Sequence, residues 1–368
     1  MRPTYLFVNL DNLLHNVKKA RAKSKATHFM GIVKAQAYGN GAIPVAKAIE
    51  GMVDYFGVAT VEEGIELRKG GIKKPIAVLG GFYAGEEDSI LDYNLEPAVF
   101  KEEHIKYLSL AGKRRGGPVR VHLKVDTGLG RLGIPWNSPR DFAFTDGIEV
   151  VSAFTTLSSA DNSGIPTVRE QNERMKEVEE ALRLNERGVL ISMANSAGLL
   201  FHPEIHRDLV RPGILLYGIP PVPQQISEFR PIMKFVSKIV FLKRVNPCTP
   251  LGYGGSYVTR ESRLIATVPA GYDDGIPRCL SNKGWMYVRG QKAPIVGKIS
   301  MDLTLLDVSD IQGVKEGDEV VVFSDQAHIW EISKICNTIP YEIMCRIGKR
   351  VHRRYIDSSG KELKFYDF

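Results

Sequence analysis

The sequence predicts an α/β chain: a (β/α)8 barrel of the TIM type, followed by a mostly β C-terminal domain. Three observations predict it. Short apolar runs alternate with amphipathic helical stretches eight times between residues 27 and 215. A stiff break, Pro220-Pro-Val-Pro223, then interrupts the chain. Beyond it come strand-like runs separated by glycine turns such as Lys315-Glu-Gly-Asp318. A doubly wound sheet is the alternative for the first part, because periodicity alone does not show closure.

Taken in order, a strand over 5–10 opens the chain, and residues 1–10 are expected to pair with the second domain. The barrel is placed at 11–228 and the β domain at 229–368. Barrel strands are expected at 28–35, 55–60, 75–81, 96–100, 119–126, 150–157, 189–195 and 209–214. A helix is predicted over 167–184, with Met175, Val178 and Leu182 on one face and charged residues elsewhere. In the second domain, strands are expected at 233–245, 263–268, 285–289, 293–298, 303–308 and 319–323, with one helix at 329–338.

A chain of 368 residues, 43% hydrophobic and 25% charged, suits a soluble two-domain protein. The net charge of +7 is a mild basic excess. Basic clusters at 18–25 and 346–354 read as solvated faces, and without interleaved aromatics they argue against nucleic acid as a partner. An anionic substrate or cofactor makes better use of positive charge near a cleft. Cys248, Cys279, Cys336 and Cys345 are too sparse for a disulfide scaffold and wrongly spaced for zinc, so no metal is expected. The chain shows no signal-peptide pattern and no apolar run of membrane-spanning length, which places the expected protein in the cytoplasm without a membrane partner.

Chemistry concentrates where strands end. Lys34 closes the apolar run at 29–33, and Tyr38, Gly39 and Gly41 follow before a helix. An amine at that mouth can lose its proton when buried and form a Schiff base with a carbonyl; the bland alternative is a lysine that snorkels to solvent. Asn195-Ser196-Ala-Gly198 after the seventh strand and Arg211-Pro-Gly213-Ile214 at the eighth offer a hydroxyl, backbone N–H groups and a close approach for phosphate. Together with the phenol of Tyr38, they outline a phosphate-bearing aldehyde, which fits pyridoxal phosphate. Glycines at 128, 130 and 133 surround Arg131, whose fork suits a carboxylate. Lys124 lies within the fifth strand and needs a partner if buried. Tyr253 and Tyr272 stand among glycines and read by default as turn residues.

Val33-Lys34-Ala-Gln-Ala-Tyr38-Gly39 resembles the cofactor-lysine motif of bacterial alanine racemases, dimeric pyridoxal phosphate enzymes of fold type III. The resemblance continues in order through Arg2-Pro-Thr4, Leu79-Gly-Gly81, 124–133, Ala194-Asn-Ser-Ala197, 211–214, 251–257, 271–278 and Ser300-Met-Asp302. It implies that Lys34 holds the cofactor and acts as one acid/base, with Tyr253 of the partner subunit as the other. It further implies that Arg211 meets the pyridine nitrogen, while Tyr38, Ser196, Gly213 and Ile214 cradle the phosphate. Arg131 and the Met301 backbone would receive the substrate carboxylate, Tyr272 and Asp302 would line the entrance, and Lys124 would be carbamylated. The implied activity is interconversion of L- and D-alanine in a homodimer with shared sites, supplying D-alanine for peptidoglycan.

The chain also departs from that pattern. Thr156 and Ser192 stand where many members have histidine, Lys349 where some have a phosphate-side tyrosine, and Gln36 and Asn40 where asparagine and histidine are common. Lys349 or a water near Thr156 is expected to take over part of the missing imidazole's role. Rival readings are a racemase of broader specificity for serine or basic amino acids, a non-catalytic pyridoxal phosphate carrier, and a decarboxylase. The carrier has no use for Tyr253, and a decarboxylase would want an acid where Arg211 stands.

Overall fold

The computed structural model describes residues 2–161, 167–224 and 227–363. Eight parallel strands, His28–Ile32, Tyr55–Val58, Ile76–Val78, Glu96–Val99, Val119–Asp126, Ile148–Phe154, Leu190–Ser192 and Leu209–Val210, pair in chain order. The eighth returns beside the first, with Leu209 opposite His28. The seventh and eighth are joined by single bonds, from Asp208 N–H to the Ile191 carbonyl (3.0 Å) and from Arg211 N–H to the Ala194 carbonyl (2.8 Å). The ring therefore comes round on itself, as a barrel does and a doubly wound sheet does not. The second, third and fourth strands are buried throughout, since one face fills the barrel and the other meets helices.

Several strands end earlier than the apolar runs suggest, because polar residues at their ends cap the next helix. Thr60 accepts from the Glu63 N–H and opens Val61–Lys69; Asn195 does the same for Gly198 and opens Ser196–Phe201. The first strand stops at Ile32, so Lys34 sits on the following turn rather than on the strand. The long helix runs Thr167–Ala181, with Met175 and Val178 buried and Leu182 just beyond its end.

In the second domain a six-stranded sheet runs in the order Gln291–Pro294, Trp285–Val288, Glu319–Phe323, Met233–Lys238, Tyr5–Asn9, His352–Ile356. Tyr5–Asn9 lies antiparallel to Met233–Lys238 and parallel to His352–Ile356. The run expected as one strand at 233–245 divides in two. At Ile239 and Val240 the chain crosses to a three-stranded sheet of Phe241–Val245, Arg263–Val268 and Thr304–Asp307. The bend is fixed by Ile239 N–H to the Asp318 carbonyl (3.0 Å) and Val240 N–H to the Thr267 carbonyl (3.0 Å). Asp325 caps the helix Gln326–Ile335, and a second helix, Pro340–Cys345, was not legible as one. Cys279 and Cys336 form a disulfide, a pairing that cysteine spacing alone did not suggest, and Cys248 and Cys345 are free. Among the described residues no helix is long and apolar enough to cross a membrane, and no acidic, histidine or cysteine group is placed to hold a metal.

Candidate active site

The first barrel strand leads into an unusual turn. Ala35, Gln36, Ala37 and Tyr38 have φ of 52°, 55°, 52° and 54°, one turn of left-handed helix made without glycine. Each such residue costs roughly 1–2 kcal/mol, so the surroundings must impose the shape. They do so from two domains. The Glu63 carboxylate accepts the Ala35 N–H (2.7 Å), Glu66 accepts from the Gln36 amide (2.6 Å), and Asn40 donates to the Ala37 carbonyl (2.8 Å). From the C-terminal domain, Arg353 donates to the Gly39 carbonyl (3.1 Å) and Tyr355 to that of Asn40 (3.0 Å). The turn buries Tyr38 and leaves Lys34 open to the barrel mouth.

A cavity of about 350 Å³ opens there, lined by Lys34, Tyr38, Lys124, Arg131, Ser196, Arg211, Gly213 and Ile214, all expected from the sequence. Phe154, Thr156, Asn195 and Tyr341 complete much of the wall. Ser196 Oγ accepts from the N–H of Gly213 (2.9 Å) and of Leu215 (3.4 Å). A β-carbon at Gly213 would collide with the Tyr38 hydroxyl, so only glycine lets that phenol reach the backbone there. Arg131 stands on a loop whose amides at Gly128, Leu129 and Gly130 all donate to one oxygen of Asp126, at 3.0, 3.0 and 3.1 Å. Asp126 is thus committed to the loop.

Arg211 is buried, lies 5.0 Å from the centre of the Phe154 ring, and donates to Ser192 Oγ and to the Thr155 carbonyl (2.5 Å). Burial pulls its pKa down to about 10. Lys124 Nζ sits 4.8 Å from the same ring and its pKa falls to about 8, through burial first and then repulsion from Arg211, Arg131 and Lys34. Lys34 is lowered by burial of its amine and by Arg131, against the opposing pull of Glu63. These four cations share a cavity that no carboxylate lines among the described residues. Such a site attracts an anion, and its softened amines suit attack on an aldehyde. The hydroxyl-and-glycine cradle beside Lys34 fits a phosphate, and the cavity fits pyridoxal phosphate.

Tyr253, Tyr272 and Met301 lie elsewhere. They are 71%, 42% and 51% exposed on the C-terminal domain, and none lines the Lys34 cavity of its own chain. Tyr253 stands between Gly252 and Gly254, whose φ of 69° and 70° turn it outward. Tyr272 N–H bonds the Ser300 carbonyl (3.0 Å), and Asp273 N–H that of Met301 (3.2 Å). Beneath them Asp274 is fully buried and receives Arg2 (2.5 and 2.6 Å), Arg350 (2.8 and 3.0 Å) and the Gly271 N–H (2.8 Å). Burial works to raise its pKa, but the hydrogen bonds from the two arginines and the Gly271 N–H, with the charge of Arg2, together outweigh that and hold it below the usual value. Asp302 is tied to Arg350 at 2.6 Å, so its carboxylate is held at the edge of this cluster.

Sequence reasoning missed Tyr341, whose helix was not legible, and the structural use of the basic run. Arg350 and Arg353 in that run are not a solvated face; they bind Asp274, Asp302 and five backbone carbonyls, of Gly39, Met301, Ile347, Gly348 and Val351. Burial lifts the pKa of the Tyr341 phenol to about 12. Ser192, in place of histidine, receives Arg211, and Thr156 faces the cavity. Lys349 lines a separate cavity with Gln36, Cys345 and Tyr355.

Comparison with known proteins returns one theme. Residues 8–221 match the family described as alanine racemase, N-terminal domain, and residues 232–355 match alanine racemase, C-terminal domain. An alanine racemase of Symbiobacterium thermophilum is 40% identical, with 96% of this chain and 97% of the relative covered. Alanine racemase of Clostridium difficile 630 superposes with a TM-score of 0.92 at 32% identity, covering 99% of this chain and 98% of the other. A Bartonella henselae alanine racemase structure described with covalently bound pyridoxal phosphate gives 0.87 at 28% identity, covering 97% and 100%.

Proposed function

The chain belongs to the alanine racemase family, pyridoxal phosphate-dependent isomerases, and on that premise we propose that it interconverts L- and D-alanine with two bases from two subunits. The observation that carries this reading is the convergence of Lys34, the Tyr38–Ser196–Gly213 cradle and Arg211 in one cavity that lacks Tyr253. When bound, pyridoxal phosphate supplies an aldehyde for an amine and a ring that acidifies the substrate α-carbon.

This chain's residues do the rest. Tyr38, Ser196 and the backbone of Gly213 and Ile214 hold the phosphate. Arg211 stays protonated at pH 7 even with its lowered pKa, and would donate a hydrogen bond to the pyridine nitrogen without giving up a proton. Lys34 Nζ would hold the cofactor and would serve as the base that moves the substrate α-proton on one face. Tyr253 of the partner subunit moves it on the other face, so removal and return occur on opposite sides. Arg131 and the backbone at Met301 receive the carboxylate, and Tyr272 and Asp302 edge the entrance. Carbamylation of Lys124, favoured by an amine with a pKa near 8, turns one of the four cations into an anion beside Arg131. The functional unit is a homodimer acting in the cytoplasm, and its D-alanine supplies peptidoglycan.

The test is purified full-length protein with pyridoxal phosphate and L-alanine in deuterated water. D-alanine labelled at the α-carbon is expected. Cofactor absorbance without exchange would indicate a carrier, and preferential turnover of serine or lysine a broader racemase.

A further inference from the structure

We propose that Glu63 is the positioning residue of Lys34, clamping the turn that carries it and supplying the negative charge that its amine faces. This rests on reading Lys34 as the cofactor lysine. Glu63 lies on Val61–Lys69, the helix that follows the second barrel strand. One carboxylate oxygen accepts the Ala35 N–H and the other the Ala59 N–H, both at 2.7 Å. The side chain thereby ties the ends of two neighbouring barrel strands. Ala35 is the first residue of the left-handed turn and directly follows Lys34, so a shift of this bond moves the lysine.

The charge has a second role. Arg131 and Arg211 face Lys34 from the barrel and both disfavour its ammonium form, while Lys34 in turn lowers Lys124 in the same cavity. Glu63 and Cys345 act the other way, and Cys345 is a thiol that burial pushes up. Among the described residues Glu63 is therefore the carboxylate that offsets the cations around the Lys34 amine. Glu66, one turn on, is held by Gln36 at 2.6 Å and acts on the turn rather than on the amine.

The geometry demands a carboxylate, because both of its oxygens accept. A glutamine offers one acceptor and sets its NH2 against the other N–H. Aspartate keeps the charge but is one methylene short.

The experiment uses full-length protein stripped of cofactor. Recapture of pyridoxal phosphate is followed by absorbance against pH, and the adduct is fixed with borohydride and mapped by mass spectrometry. In Glu63→Gln the pH midpoint of capture should fall by about half a unit or more, as loss of a nearby negative charge destabilises the ammonium. The plateau rate should fall roughly tenfold with the turn loosened. Glu63→Asp should keep the wild-type midpoint yet lose rate. Glu63→Gln with an unshifted midpoint overturns the proposal. So does Glu63→Asp at full rate, which also decides the matter should the glutamine variant not fold. An adduct on a lysine other than Lys34 in the wild type overturns the reading of Lys34 and this inference with it. An adduct on Lys34 with an unshifted midpoint overturns the role of Glu63 alone.

Discussion

At the barrel mouth, charge of one sign accumulates: Lys34, Lys124, Arg131 and Arg211 line a cavity with no carboxylate among the described residues of its wall. Around Tyr272 and Met301 charges of both signs are paired within the chain, with buried Asp274 clasped by Arg2 and Arg350 and the latter also reaching Asp273 and Asp302. The first region is electrostatically incomplete until an anion enters. The second is complete by itself and presents aromatic and apolar side chains outward. On the proposed reading, a site assembled from both would take binding from the barrel and the second proton transfer from the partner subunit's surface. Perturbing the two regions should therefore produce different kinds of loss.

The largest effect is expected from the barrel. Lys34→Ala should remove cofactor attachment and lower racemisation by at least ~10⁴-fold, since it deletes both nucleophile and base. Absorbance of the loaded protein and turnover should vanish together. Retained attachment would break the division of labour at its root. Tyr253→Phe should act more narrowly, losing roughly 10²- to 10⁴-fold in turnover with cofactor absorbance intact. Mixing inactive Lys34→Ala and Tyr253→Phe proteins should restore activity through mixed dimers that carry one complete site. If Tyr253→Phe stays fully active, the exposed face has no catalytic part.

Lys124→Met sharpens the contrast in the opposite direction, because it should stabilise the cofactor-free protein. A lysine whose folded pKa is about 8 instead of 10.5 binds fewer protons folded than unfolded between those values, so its burial cost is full below pH 8 and disappears as pH rises towards 10.5. In carbon dioxide-depleted buffer at pH 7 the gain should reach about 1–3 kcal/mol, read from thermal midpoints, and shrink by pH 10. A destabilising Lys124→Met would mean that the cations are balanced by something other than a ligand.

The same contrast decides what could be read from sequence. The barrel is legible because buried parallel strands are continuous apolar runs, and its cavity residues come just past their ends, with Gly39 and Gly41 after Lys34, Gly198 after Ser196 and Pro212 beside Arg211. The left-handed turn is not legible, because Ala-Gln-Ala-Tyr has no local preference for φ near 50° and takes it from Glu63, Arg353 and Tyr355. The run at 346–354 looks like a solvated basic face, yet Arg350 and Arg353 serve partners 76 and 314 residues away. Tyr341 was missed for a related reason. Its helix is six residues long, too short to show a period.

The smallest effect should come from the self-sufficient cluster, and it should be one of stability. Asp274→Asn keeps the shape but leaves Arg2 and Arg350 without their buried counter-charge. Both arginines are about one-third exposed, at 31% and 33%, so water recovers part of the loss. The expected destabilisation is about 2 kcal/mol at pH 7, below the 3–5 kcal/mol typical of a fully buried pair. Its pH dependence has a definite sign. Asp274 has a folded pKa below its ordinary 3.8, so its contribution is present above that value and is lost as pH falls through the folded pKa. The gap in thermal midpoint between wild type and Asp274→Asn should therefore hold steady from pH 7 to about 5 and close below about 4. A gap that widened on acidification would mean that Asp274 is already protonated in the folded chain, and the two regions would not differ in the way their charges suggest.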